Sequence, residues 1–156
     1  MRTKSSMNLE GNLQIIIYGA LGEVLKRFAI KNTITFDGEL SVLNLWAQNV
    51  GVATDWQMQE LRVGASAIPP TKSDTSLGSP HGTVMSLSPA SRIINPSTNQ
   101  LTLSGSLGVG ILTGVYLREV GIFSGNGKML TRQVHPEILK TVPITVSYSW
   151  IMAVTS

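Results

Sequence analysis

The longest alternation of apolar and polar positions lies near the C-terminus, where Val142, Ile144, Val146, Tyr148, Trp150, Met152 and Val154 recur at every second residue. Pro143, Thr145, Ser147 and Ser149 stand between them. A period of two puts one set on a buried face and the other toward solvent, so the segment reads as a long half-buried strand. A 3.6-residue repeat would wind the same apolar residues around all sides of a helix. Residues 13–18 and 24–30 alternate in the same way on either side of Gly19-Ala20-Leu21-Gly22, which predicts a hairpin, with 33–36 extending its second strand. Further strands are expected over 57–63, 83–88, 100–104, 115–123 and 128–134. The last two flank Asn126-Gly127, a pair suited to a tight turn.

One helix is predicted near 38–48. Asp37-Gly38 supplies its N-cap, Leu40, Leu43 and Ala47 share one side, and Val42, Leu45 and Trp46 lie beside them. About eight strands separated by Gly, Pro and Ser/Asn turns predict an all-β fold, an antiparallel β-sandwich or related barrel with one short helix. The segment 65–80, with Pro69, Pro70, Gly78 and Pro80 and no clean period, is the principal surface loop. Residues 9–156 are expected to form one domain, preceded by a basic arm over residues 1–8 that carries Arg2 and Lys4. No apolar stretch follows that arm, so it does not read as a signal peptide, and no run approaches the roughly 18 apolar residues of a spanning helix.

Composition narrows the function classes. Charged residues make up 13% of the chain, against roughly a quarter in ordinary soluble domains, so something other than charge covers much of the surface. Together with a positive mean hydropathy, this suits a surface partly buried against neighbouring subunits. The 12 Lys and Arg outnumber the 9 Asp and Glu only slightly and without a concentrated stripe, so direct nucleic-acid binding is not expected. The absence of Cys removes disulfides, thiolate metal sites and Cys nucleophiles.

Candidate chemistry is sparse. His81 and His135 fall outside any His-x-x-x-His spacing and read as solvated loop residues, so no metal site is expected. No Gly-x-Ser-x-Gly elbow surrounds a serine, and Asp37, Asp55 and Asp74 lack paired-acid or calcium-loop spacing. The Gly-rich stretches 105–110 and 125–128 match neither a dinucleotide nor a phosphate-binding loop, and read as turns or bulges. No enzyme, cofactor or membrane role follows from these residues. Trp46, Trp56, Tyr116 and Trp150 would make a glycan-binding platform if several faced solvent together, which is the alternative function; Trp46 and Trp150 read instead as core.

Within the 65–80 loop, Pro69-Pro70 stiffens the backbone and Asp74-Thr75 can bond it through their side chains. A rigid loop without catalytic groups is a contact surface, so Arg2, Lys4, Pro69, Pro70, Asp74 and Thr75 are the candidate subunit contacts. Glu119, Asn126 and Gly127 are the candidate structural residues. Glu119 is expected to be partly buried, bonded to backbone amides or a basic side chain, and to orient the Asn126-Gly127 hairpin.

Three ordered motifs resemble a known family. They are Leu61-Arg62-Val63-Gly64 running through Pro69-Pro70 to Asp74-Thr75-Ser76-Leu77, then Leu112-Thr113-Gly114-Val115-Tyr116-Leu117-Arg118-Glu119-Val120-Gly121-Ile122-Phe123 running into Gly127-Lys128-Met129-Leu130-Thr131-Arg132, and the closing strand from Ile144 to Ile151, with the opening hairpin from Leu13 to Asn32 fitting the same pattern. In this order they resemble small virion structural proteins of tailed bacteriophages, of the decoration, collar or tail-fibre-attachment type. Ala65-Ser66 replaces a frequent second glycine, and Arg118 precedes Glu119 where the pattern differs. The resemblance implies a non-enzymatic building block of the head, neck or collar, or tail, made in the host cytoplasm and located in the virion. Its partners would be major capsid, portal or neck, or tail proteins, and further copies of itself as a homo-oligomer.

Overall fold

The computed structural model describes residues 8–47 and 55–155, apart from the side chains of Trp46 and Ala47. Among them, ten strands form an antiparallel β-sandwich of two five-stranded sheets. The first sheet has the order β2 (Val24–Lys31), β1 (Asn8–Tyr18), β10 (Thr145–Thr155), β7 (Gln100–Leu107), β6 (Arg92–Asn95). The second has the order β3 (Thr33–Ile34), β9 (Met129–Lys140), β8 (Val115–Ser124), β4 (Met58–Gly64), β5 (Pro80–Ser86). One helix, α1 (Phe36–Ala47), lies against β9.

The alternation holds through the middle of β10: Val146, Tyr148, Trp150 and Met152 are buried, facing a core completed by Leu13 and Ile15 of β1 and Leu103 and Leu107 of β7, whereas Val142, which precedes the strand, and Val154, near its end, are exposed. Leu61, Val63, Leu117, Val120, Ile122 and Ile138 close it from the second sheet. Burying each such side chain contributes roughly 1.5–3 kcal/mol, so this layer dominates the stability.

Three departures from simple alternation matter. β6 is only four residues long and has no period to read; pairing with β7 makes it a strand. β9 continues past the expected end at residue 134, through Pro136 to Lys140. It can do so because the register shifts there: Glu119 pairs with Val134 and Leu117 with Ile138, so Pro136 sits in a bulge where no ladder amide is required. The same shift changes the phase of β8. Leu117 and Val120 both face the core, and Glu119 turns to the outer face of its sheet.

The helix begins at Phe36, and its cap is Thr35 instead of the expected Asp37-Gly38. Gly38 N donates to Thr35 Oγ1 at 3.1 Å, and Thr35 Oγ1 donates to Met129 O at 2.6 Å, which ties the helix start to β9. Gly38 is required by close approach, since a Cβ there would lie 2.0 Å from Leu130 O. The helix therefore packs through its small residues Gly38 and Ser41, while Phe36, Leu40 and Leu43 remain exposed.

His135 is not a solvated loop residue. It lies in β9, buried, with its ring centroid 5.9 Å from that of Tyr148 and Nδ1 2.9 Å from Pro136 O. Burial pulls its pKa below the usual imidazole value of 6.5, against the opposing pull of the Pro136 carbonyl and the Glu119 charge. The unfolded chain therefore binds more protons than the folded one between the folded pKa and 6.5, so stability falls as pH drops below 6.5 through that window. The expected slope approaches about 1.4 kcal/mol per pH unit inside the window. Urea midpoints measured from pH 7 downward should lose this slope in His135→Leu; an unchanged slope would assign it to another group.

Candidate contact loop and its buried ionic anchor

β4 ends at Gly64, and the chain leaves the sheet until Pro80 opens β5. The two ends of this excursion meet where Ala65 N donates to Ser79 O at 2.8 Å. Beneath the neck lies Glu119, placed there by the phase change in β8 and fully shielded from solvent. Its carboxylate gathers the loop's backbone: Oε1 accepts from Ser66 N at 3.2 Å and Ser79 N at 2.7 Å, and Oε2 from Gly78 N at 3.0 Å. Gly64 must be glycine beside it, because a Cβ would lie 2.4 Å from Glu119 Oε1 and 2.4 Å from Ser79 O.

Arg132 of β9 completes the charge balance. Its Nε donates to Glu119 Oε2 at 2.9 Å, and Nη2 lies 2.8 Å from the same oxygen. Nη1 donates to Asp74 Oδ2 at 2.7 Å, and Nη2 also reaches Ile68 O at 3.1 Å. One buried guanidinium thus joins two carboxylates and a loop carbonyl, a geometry suited to the planar fork of arginine. Asp74 in turn accepts from Thr71 N at 3.0 Å and Thr71 Oγ1 at 2.7 Å. Burial would raise its pKa, but the Thr71 bonds and the Arg132 bond and charge outweigh that, and the net shift is downward.

An apolar plug secures the middle of the loop. Leu77 is buried against Phe123 and Met129 on the outer face of the second sheet, with the Arg62 guanidinium 4.3 Å from the centre of the Phe123 ring. The loop is also bound to the helix, through Phe36 N donating to Lys72 O at 2.8 Å and a Lys72–Glu39 ion pair. The result is a loop of some fifteen residues held at its neck, centre and outer turn, which leaves little conformational entropy to lose on binding.

The expected contact residues divide accordingly. Pro69 and Thr75 are exposed on this held loop next to Ile68, which is 71% exposed; Pro70 is half-buried. Asp74 faces inward to Arg132, so it shapes the loop instead of presenting its carboxylate. Thr75 takes no part in these bonds. Arg2 and Lys4 lie outside the described residues. Glu119 is more deeply buried than expected and orients the 65–80 loop, not the hairpin.

The hairpin is held by its own turn and by the segment that leads into β4. Gly127 has φ +80, Asn126 Oδ1 accepts from Ser124 Oγ at 2.5 Å, and Gly125 N and Asn126 N donate to Gln57 O and Asp55 O at 3.2 and 3.0 Å. Only Gly127 of the Asn-Gly pair takes the left-handed conformation; Asn126 works through its side chain.

Arg132 and the amides of Ser66, Gly78 and Ser79 escaped the residue-by-residue reading. A signal for Arg132 was present: a hairpin closed at 124–127 brings residue 132 opposite 121, one diagonal step from Glu119. The described aromatics of a glycan platform do not gather. Trp150 is buried, Tyr116 is exposed at the start of β8, half-buried Trp56 lies near that strand's far end, and the Trp46 side chain is outside the described residues. Among the described residues no group of three His, Asp or Glu side chains is placed to hold a metal ion. No family model, curated protein or solved structure matches the chain.

Proposed function

We propose that the chain is a non-enzymatic structural protein of a tailed-bacteriophage virion, assembling on the head, neck or collar, or tail through protein–protein contacts. The observation that carries this reading is a convergence. Gly64, Asp74 and Leu77 come from the first motif, and Glu119, Gly121, Met129 and Arg132 from the second. All meet at one place, where they fix the 65–80 loop. Their joint task is to hold a surface segment in a single shape. That is what a docking element requires, since affinity gained at an interface is offset by whatever must be ordered to form it.

The exposed outer turn with Ile68, Pro69 and Thr75 is the proposed contact face. The test is immunogold labelling of phage particles from cells carrying the gene, with an Ile68→Asp/Thr75→Asp variant in parallel. Wild-type chain should be found on particles. The variant, whose substitutions alter only exposed side chains and leave the melting temperature within a few degrees, should be depleted from them. Particles free of the wild-type chain would overturn the virion reading, and full incorporation of the variant would remove the loop from it.

A further inference from the structure

A sheet edge presents unpaired amides and carbonyls, and proteins guard such edges with charge, proline, shortness or cover. Among the described residues the two sheets have four edges: β2 and β6 in the first, β3 and β5 in the second. Three are guarded. β2 carries Lys26, Arg27 and Lys31, so two copies meeting there would bring like charges together. β3 is two residues long. β5 opens with Pro80 and bends at Gly82, where φ is +76.

Among the described residues β6 has none of these protections beyond modest length. Its central Ile93 and Ile94 are 60% and 73% exposed, and they are adjacent, so one points to each face of the strand. Its only charge does not guard it: Arg92 is turned across to the second sheet, with Nη1 3.3 Å from both Gln57 Oε1 and Met58 O. β6 also covers only half of its neighbour. Its pairing with β7 stops at Leu103, and residues 104–107 have no strand partner on that side among the described residues.

We propose that β6 pairs antiparallel with β6 of a second copy of this chain, joining the two first sheets edge to edge across a two-fold axis. This goes beyond the virion reading and stands on the sheet edges alone. Directly opposite residues of an antiparallel ladder share a face, so the axis passes Ile93 or Ile94, and that isoleucine meets its own copy. In the first register Arg92 faces Ile94 of the second copy, and in the second Ile93 faces Asn95. Neither register opposes like charges, in contrast to β2. A ladder built on a four-residue strand makes few bonds, so the pairing is weak and concentration-dependent.

Sedimentation equilibrium of the purified full chain, from micromolar to near-millimolar concentration, tests this. The wild type should pass from monomer to dimer, and amide exchange at Ile93, Ile94 and Asn95 should slow as dimer forms. Ile93→Lys/Ile94→Lys should stay monomeric with an unchanged melting temperature, because both side chains are exposed; Leu25→Lys on the β2 edge should still dimerise. A wild type that is monomeric throughout, an assembly undiminished by the double lysine variant, or exchange at β6 independent of concentration would overturn the pairing. The particle-labelling result separates the two readings: a monomer found on particles removes only the pairing, and a dimer absent from particles removes only the virion assignment.

Discussion

Arg132→Met is expected to destabilise the fold by about 3–5 kcal/mol, because it leaves a buried carboxylate without its counter-ion. Methionine keeps most of the aliphatic stem, so lost packing is a minor part of the effect. What changes is Glu119, which is fully shielded and among the described residues keeps the Ser66, Gly78 and Ser79 amides as its donors. Asp74 and Ile68 O lose their links to the sheet at the same time. Against a typical total of about 5–15 kcal/mol, this is a large fraction of the stability. Equilibrium unfolding in urea measures it as a lower midpoint at constant slope. A companion change, Glu119→Leu added to Arg132→Met, removes the stranded charge yet orphans the loop amides, so it should recover only part of the loss. A single variant within about 0.5 kcal/mol of wild type would show that water reaches Glu119 and that the network does not anchor the loop.

The sandwich was legible because its long strands alternate cleanly and face one core. The exceptions are informative. β6 carries no period, and its strand state depends on β7, which is a non-local cause. Proline is disfavoured inside a sheet, and the bulge that accommodates Pro136 in β9 arises only from pairing with β8. The same bulge decides the candidate site. Plain alternation would put Glu119 on the same face as Leu117, inside the core; the phase change sends it under the loop. Sequence could name Glu119 as the polar outlier of an apolar strand, but its partners lie more than forty positions away in the chain at Ser66 and Gly78. Arg132 is the one partner that local hairpin register could have supplied.

Trp150→Ala should cost a similar amount, about 3–5 kcal/mol, by a different route. Trp150 is fully buried at the centre of β10, with Leu13 and Leu103 as its neighbours in the flanking strands. Its Nε1 has no hydrogen-bond partner among the described residues, so truncation removes packing and leaves a cavity without breaking a bond. For the same reason Trp150→Phe should be milder, about 1–2 kcal/mol, since the polar atom it deletes is buried unpaired. The losses in Arg132→Met and Trp150→Ala then separate by locality. In Arg132→Met the loop is released from a folded sandwich, so trypsin should cut at Lys72 under native conditions well before global unfolding. In Trp150→Ala the Glu119–Arg132–Asp74 network is untouched, and cleavage at Lys72 should rise only in proportion to the unfolded population. If Trp150→Ala instead released Lys72 ahead of global unfolding, the loop would depend on core packing, and the ionic anchor alone would not explain its fixed shape.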